Sequence, residues 1–317
     1  MARRFLILGS FAAIYLLWGS TYFAIALGLK SLPPFLLMAV RSLCGGLILI
    51  ALNGRELVQV SRRTWLDAAL CGLLFFVGCH GVLAVAQQTV PSGVAAIILA
   101  TIPFWIVLID FTFPQQKRPS PYTLMALMPG FAGVAIVAWQ NAGQNGVNVR
   151  PIVWLLAAAL SWSIATVLSR QTSSSASSML VSGMQLTIGG AGLLAVSLIA
   201  GEMSGFSPRH VSTISLVAVA YLIITGSVIG FAAYHWLLKN VSTSLVSTYT
   251  FINPIVAVLL GTMILGEPFS ISMLLGACLV IASVIVMWRA EHAETSLPPS
   301  RPGAVRLAHR PRLTLRP

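Results

Sequence analysis

The chain has 317 residues, 57% of them hydrophobic and only 8% charged, with a mean hydropathy of +0.90 and a net charge of +12. A soluble domain carries roughly 25% charged residues, so the composition excludes a soluble fold and points to an all-α polytopic membrane protein. Cys44, Cys71, Cys79 and Cys278 all fall in apolar segments, without metal-site spacing or a disulfide framework, and read as small apolar filler.

Met1-Ala2-Arg3-Arg4 precedes an uncharged run from Phe5 to Leu29. That run exceeds the roughly 7–15 residues of a signal-peptide core and is read as span 1, 5–27. Leu32-Pro33-Pro34 turns the chain, and span 2 covers 35–52, interrupted by Arg41. A polar loop with Arg55, Glu56, Arg62, Arg63 and Asp67 follows. From Ala68 to Ile109 there is no charged residue. Spans 3 and 4 (66–86 and 94–113) share this stretch, parted by the turn-forming Gln87-Gln88-Thr89-Val90-Pro91-Ser92-Gly93. Span 5 is 123–139, and the Asn/Gln/Gly-rich 140–150 joins two halves. Spans 6 to 10 are expected at 152–168, 179–200, 215–238, 245–265 and 271–288, with a Ser-rich loop over 171–178. The remaining 291–317, rich in Pro and Arg, has no periodic apolar face and is expected to be a disordered basic cytoplasmic tail.

Ten spans put both termini on one side. The N-terminal side then carries 15 Lys and Arg; the other carries three (Lys30, Arg150 and Arg209), with Arg41 inside a span. The positive-inside rule therefore predicts N-in and C-in. It also accounts for the basic balance, which removes the case for nucleic-acid binding.

The chain repeats itself. Laying Pro103, in an apolar stretch beginning Ser92-Gly93-Val94, over Pro254, in Ser244 to Ser270, sets Gly93 on Ser244 and Ala96 on Ser247. Leu17-Trp18-Gly19-Ser20-Thr21 likewise resembles Ser161-Trp162-Ser163-Ile164-Ala165-Thr166. Five spans per half is odd, so the second half inserts upside down. The expected architecture is ten transmembrane helices as two inverted five-helix repeats, 1–143 and 151–290. An apolar helix interrupted by proline in each half is a sequence pointer to a transporter core.

Several residues together resemble the EamA-type transporters of the drug/metabolite transporter superfamily. They are Trp18-Gly19-Ser20-Thr21, Pro33-Pro34, Arg41, Pro103, Tyr234-His235-Trp236, Pro254 and Leu265-Gly266-Glu267, in that order over nearly the whole chain. The first half departs from the pattern, with Gln115-Gln116-Lys117 where a Gly-Glu pair is expected after span 4. The resemblance implies a carrier of amino acids, other small metabolites, nucleobases or drugs in a bacterial inner membrane, mostly outward.

Candidate solute contacts are polar or aromatic groups at depth. A charge inside a span costs roughly 2.5–3.5 kcal/mol on insertion scales, so Arg41 needs a reason. It either anchors a substrate carboxylate through its bidentate fork, or ties carbonyls at a helix end or snorkels to the outer interface; its presence across family members with differing substrates favours the structural reading. His80, among small neighbours, is either a proton-coupling group or a neutral histidine on a backbone carbonyl. Trp18, Tyr22, Trp162, Tyr234 and Tyr249 can line an aromatic cavity beside Thr21 and Thr166, or simply pack. Pro103, Asn253 and Pro254 mark interrupted backbone whose freed carbonyls need partners. His235 is expected at the inner interface and Glu267 as a turn cap; Asp110, near the inner end of span 4, either pairs with Lys117 or Arg118 through water or serves as a gate or proton site. Gly130, Gly133, Gly226 and Gly230 read as helix-packing faces.

These features predict a gradient-driven exporter of small metabolites, amino acids first, working by alternating access. The alternative is a multidrug carrier of cationic compounds. No ATP-binding Gly-rich loop is present, and no cofactor or metal is implied. An enzyme would need a carboxylate pair, a His/Cys cluster or a nucleophile–base pair at depth, where only isolated residues occur. The expected partners are a small solute, a coupling proton and the lipid bilayer. The sequence does not fix the oligomeric state.

Overall fold

A computed structural model describes residues 2–110, 121–144, 149–171, 176–241 and 243–296. Among them there is no strand. The helices, in chain order, are α1 (Arg3–Gly28), α2 (Pro34–Leu57), α3 (Arg62–Ala86), α4 (Ser92–Ile109), α5 (Pro121–Gln144), α6 (Arg150–Gln171), α7 (Ser178–Ile199), α8 (Thr213–Asn240), α9 (Tyr249–Leu265) and α10 (Ile271–Ser296). Seven of these described helices are long and apolar enough to cross a membrane. The other three, α5, α9 and α10, carry the shorter apolar stretches Met128–Val137, Ile252–Leu265 and Ile271–Ser283.

Local chemistry sets the ends. Pro33 and Pro34 close the α1–α2 turn, with Pro34 opening α2 where its missing N–H costs nothing. Ser61, Ser177 and Ser212 cap α3, α7 and α8, accepting from the backbone N–H of Thr64, Leu180 and Ser215 at 3.2 Å each. Because Ser61 caps it, α3 begins at Arg62, ahead of its apolar run. Gly266 follows α9 with φ +68°, the left-handed conformation that a glycine adopts without steric cost.

Three expectations are corrected. The helix α10 runs on through 291–296, where the sequence places tail; Ala290, Glu291, Ala293 and Glu294 are fair helix formers. Residues 297–317 lie outside the described residues, as do Gln115, Gln116, Lys117 and Arg118. The helix α5 likewise extends over 140–144 of the expected linker. The third correction concerns the helix breaks. In α4 the chain leaves the helix at Ala100-Thr101, just before Pro103, which then sits in the first turn of the resumed helix. In the second half the break falls at Ser247-Thr248, between the short turn Thr243–Val246 and α9, and Pro254 lies inside a continuous helix.

Three helices contain π-helical turns that no hydropathy pattern announces: Ala13–Leu17 in α1, Leu73–Gly81 in α3 and Leu222–Phe231 in α8. Such turns are rare and cluster at functional sites.

The main helix pairings recur between the halves. Helix α2 runs along α7, and α5 along α10. Helix α1 packs on α8 and α9, as α6 packs on α3 and α4; α2 meets α8 as α7 meets α3. Acidic side chains pin the ends. Glu56, in the last turn of α2, accepts from Ser177 N at the start of α7 (2.8 Å). Glu202, just after α7, accepts from Phe35 N and Leu36 N at the start of α2 (3.0 and 2.9 Å) and from Ser197 Oγ (2.7 Å). Glu267, just after α9, takes Ser92 N (2.9 Å), Ser92 Oγ (2.8 Å) and Gly93 N (3.4 Å) at the start of α4. Glu56 stands on the face that carries the N-terminus, and Glu202 and Glu267 on the opposite one.

The α2–α7 seam depends on small residues. A Cβ at Gly46 would lie 2.6 Å from the Thr187 backbone nitrogen and 2.9 Å from the Gly183 carbonyl oxygen. Backbone atoms cannot rotate aside, so Gly46→Val should destabilise the fold by about 1–3 kcal/mol. A lowered unfolding temperature of the detergent-solubilised protein checks this; an unchanged one refutes the seam.

Candidate functional site

The three π-turns and the break in α4 converge near mid-depth. Trp18, at the end of the α1 π-turn, meets Trp162 of α6 at 5.5 Å between ring centroids, Tyr234 of α8 at 5.1 Å and Tyr249 of α9 at 5.2 Å. Phe75, in the α3 π-turn, stands 4.6 Å from Trp162 and 5.4 Å from Phe231. Edge-on and tilted pairs of this kind contribute about 0.5–1.5 kcal/mol each beyond their burial. Glycines let the rings in. A Cβ at Gly230 would collide with the Trp18 indole, whose Nε1 donates to the Gly226 carbonyl at 3.0 Å. Gly226 and Gly230 are therefore seats for side chains, where the sequence reads them as helix-packing faces. Gly130 likewise seats the Phe104 ring, whereas Gly133 fits the packing reading: a Cβ there would lie 2.6 Å from the Gly276 carbonyl oxygen on α10.

On one side of this aromatic layer is a small central cavity of about 30 Å³, room for a water or two. Helix α1 supplies Trp18, Thr21, Tyr22 and Ile25; α2 supplies Arg41; α3 supplies Cys79, His80 and Leu83. Leu99 and Ile102 come from the α4 break, Trp162 from α6, and Tyr249 and Asn253 from α9. Eight sequence candidates thus meet here: Trp18, Thr21, Tyr22, Arg41, His80, Trp162, Tyr249 and Asn253. The apolar liners were not singled out, because nothing in an isolated Leu or Ile distinguishes a cavity wall from core.

Arg41 does not snorkel. It is 2% exposed, its Nε donates to Ser227 Oγ at 3.1 Å, and its Nη1 lies 3.9 Å from Met38 Sδ. Gly226 leaves it room: a Cβ there would be 2.6 Å from Nη2 and 3.0 Å from Thr21 Cγ2. Among the described residues that line the cavity there is no carboxylate. The cavity therefore holds an uncompensated positive charge. His80 is wedged between Phe76 (5.2 Å) and Trp162 (5.3 Å), and its Nδ1 has no hydrogen-bond partner, so it is not the carbonyl-bound histidine the sequence allows.

Asn253 answers the need of the irregular backbone. With its amide turned to suit its neighbours, Nδ2 donates to the carbonyls of Tyr249 (3.2 Å), Ile14 (3.2 Å) and Tyr15 (3.0 Å), the last two in the α1 π-turn. Tyr15 OH also bonds Thr248 Oγ1 at the break before α9 (2.5 Å). Ser163 Oγ donates to the Ile102 carbonyl beside Pro103 (3.0 Å).

The remaining candidates stand outside the cavity. Pro103 and Pro254 are buried in their helices without lining it. Thr166 and Tyr234 bond each other across α6 and α8 (2.7 Å) on the far side of the aromatic layer. His235 is not interfacial: it is 4% exposed, 4.6 Å from Phe231 and 6.0 Å from Phe75 between ring centroids. Glu267 caps the start of α4 across the helix interface, where the sequence reads a cap of its own turn. The side chain of Asp110 lies outside the described residues.

Beyond the aromatic layer, toward the face that carries the N-terminus, lies a larger vestibule of about 410 Å³ between α3, α6, α7 and α8. Removing Ser227 would strip the buried guanidinium of its oxygen partner. Ser227→Ala should cost about 1–3 kcal/mol of stability, read as a fall in unfolding temperature, with Ser227→Thr closer to the parent.

The EamA-like transporter family model matches residues 5–139 and 149–289. The inner membrane transporter YedA of Escherichia coli K12 is 36% identical over 284 residues, covering 88% of this chain and 89% of that one. Protein PecM of Dickeya dadantii is 27% identical, covering 85% and 88%. A WAT1-related chloroplastic protein of Arabidopsis thaliana is 28% identical over 86% of this chain and 67% of its own. A solved crystal structure, 22% identical, superposes over 89% of this chain and 96% of its own with a TM-score of 0.64.

Proposed function

The chain belongs to the EamA-like transporter family, and from that premise we propose that it is a gradient-driven carrier of small metabolites bearing a carboxylate, amino acids or close relatives, across a bacterial inner membrane. The observation that carries the reading is Arg41: a buried guanidinium on a central cavity whose described walls supply no acid. A buried charge is tolerated where a partner arrives, and a solute carboxylate is the natural partner for a guanidinium fork. The same feature disfavours the cationic-drug alternative, since a permanent positive charge repels cationic solutes at close range.

Alternating access follows from the repeat. Ten spans as two inverted halves, 1–143 and 151–290, are supported by the recurring helix pairings and by the π-turns shared by α3 and α8. The reciprocal clamps of Glu56 on α7 and Glu202 on α2 support it too. Inverted halves can exchange conformations, opening a mid-depth site first to one side and then to the other. The central cavity is too small for a solute in this state. The vestibule opens toward the face of the N-terminus, which the charge balance places in the cytoplasm. Export is then the direction in which a solute enters by the open side. His80 is where we place proton coupling, as an imidazole in the cavity with one ring nitrogen unpartnered.

Reconstituted into liposomes, the protein should exchange labelled amino acids for internal ones. Arg41→Gln should cut exchange at least about thirtyfold, as expected when a buried charge loses its counter-charge contact, and Arg41→Lys should restore part of it. Undiminished amino-acid exchange by Arg41→Gln would sink the reading, and cationic drug transport by that variant would favour the alternative. His80→Gln should retain exchange but lose accumulation driven by a pH gradient. Accumulation equal to the parent's would remove His80 from coupling.

A further inference from the structure

The two cavities differ in sign. Asp67, Arg170, Gln185 and Lys239 all line the vestibule, so acid and base share its wall. The central cavity has Arg41 and, among the described residues that line it, no carboxylate. Of the five N–H groups on a guanidinium, the Nε–H of Arg41 goes to the neutral Ser227 hydroxyl and one on Nη1 approaches the Met38 thioether. Neither partner supplies charge. Other polar groups of the wall add donors. Trp162 and Tyr249 are 4% and 5% exposed, and Trp162 Nε1, Tyr249 Oη and His80 Nδ1 have no hydrogen-bond partner. Trp162 Nε1 faces the Tyr234 and Tyr249 hydroxyls without completing a bond to either. An indole N–H only donates, a phenol can donate, and an imidazole nitrogen donates in one tautomer. A buried cation beside donors that lack an acceptor calls for an anion. Water would accept from the donors but would leave the charge uncompensated.

Size narrows the class. The cavity, about 30 Å³, holds a species of about the size of water. An organic acid or a phosphate exceeds that room, and a monatomic halide does not. We propose that the closed central cavity is a halide site, in which one chloride ion lies against the Arg41 guanidinium and accepts from Trp162 Nε1 and Tyr249 Oη. The ion supplies the missing negative charge and the missing acceptor together. It stands where the carrier reading puts a solute carboxylate, so chloride leaves as a solute arrives. That exchange rests on the carrier reading; the binding of chloride does not.

The test is chloride binding to the full chain in nanodiscs of phosphatidylcholine and phosphatidylglycerol, read as excess line width of the chlorine NMR signal. Sodium chloride replaces sodium sulfate at a constant ionic strength of about 0.1 M, where exposed charges are screened beyond about 10 Å. The parent should show saturable broadening that bromide removes and sulfate, too large for the cavity, does not. Arg41→Gln should abolish it. Trp162→Phe and Tyr249→Phe each keep a ring in the aromatic layer and remove one donor, and each should weaken chloride at least about tenfold, the loss expected for a hydrogen bond to a charged group. Arg63→Gln, at the start of α3, should bind as the parent does. No saturable broadening by the parent overturns the inference, as does binding retained by Arg41→Gln or unchanged in both ring variants. Loss in Arg63→Gln, or sulfate competing as well as bromide, overturns it in favour of a surface cation. Amino-acid exchange by the parent in liposomes is measured alongside in the same two salts. Exchange without chloride binding fails this inference alone, and chloride binding without exchange fails the carrier reading alone. With both present, a KM for the amino acid that does not rise with chloride overturns the shared place.

Discussion

The fold depends on carboxylates meeting the N-termini of helices from the other half of the chain. A helix start leaves backbone N–H groups unpaired and carries partial positive charge, and at the edge of a bilayer neither is readily satisfied. Of the seven acidic residues, Glu56, Glu202 and Glu267 serve this purpose. Hydrogen bonds to a charged group contribute about 1.5–3 kcal/mol each, more than neutral ones. Glu56 and Glu202 pin the α2–α7 pair at its two ends, and between them the seam closes on glycines that let backbones touch.

Arg41 is the counterpart of that economy. Its charge is held by one hydroxyl, a thioether and the void left by Gly226, all of it away from water. Such an arrangement is costly unless a compensating charge visits, which is the basis of the carrier reading proposed above. The aromatic layer beside it excludes water and raises the worth of any ion pair formed there. Asn253 and Tyr15 hold the irregular backbone of α1 and the α9 break in register, so the wall of the cavity is fixed by side-chain bonds where the regular helix ladder fails.

Seven of the spans were legible because hydropathy and length are one-dimensional properties. So was the convergence of Trp18, Arg41, His80, Trp162 and Tyr249, since residues at matching depths in a bundle tend to meet. The π-turns were not legible, because they arise from how Trp18, Phe75 and Phe231 crowd one layer and leave no mark in periodicity. Pro254 misled for a related reason: proline signals a break, but in α9 Asn253 supplies bonds nearby and the chain breaks at Ser247-Thr248 instead. Arg170, Lys239, Gln185 and Asp67 come from four helices and share no spacing, so only the packing brings them together.

The two faces of the central cavity are closed by different interactions. To join the vestibule to the central cavity, Trp18 must leave the Gly226 carbonyl and Tyr234 must leave Thr166. These are two neutral hydrogen bonds at about 1 kcal/mol each, with the eight ring contacts of Trp18 and Tyr234 at about 0.5–1.5 kcal/mol each. To open the opposite face, the Glu202 and Glu267 clamps must release five charge-assisted bonds, at about twice the strength each, from two helix ends. The two barriers are thus of comparable strength, one made of rings and the other of carboxylate bonds. Under the carrier reading proposed above, a solute that brings its own carboxylate to Arg41 supplies a gain that offsets either one.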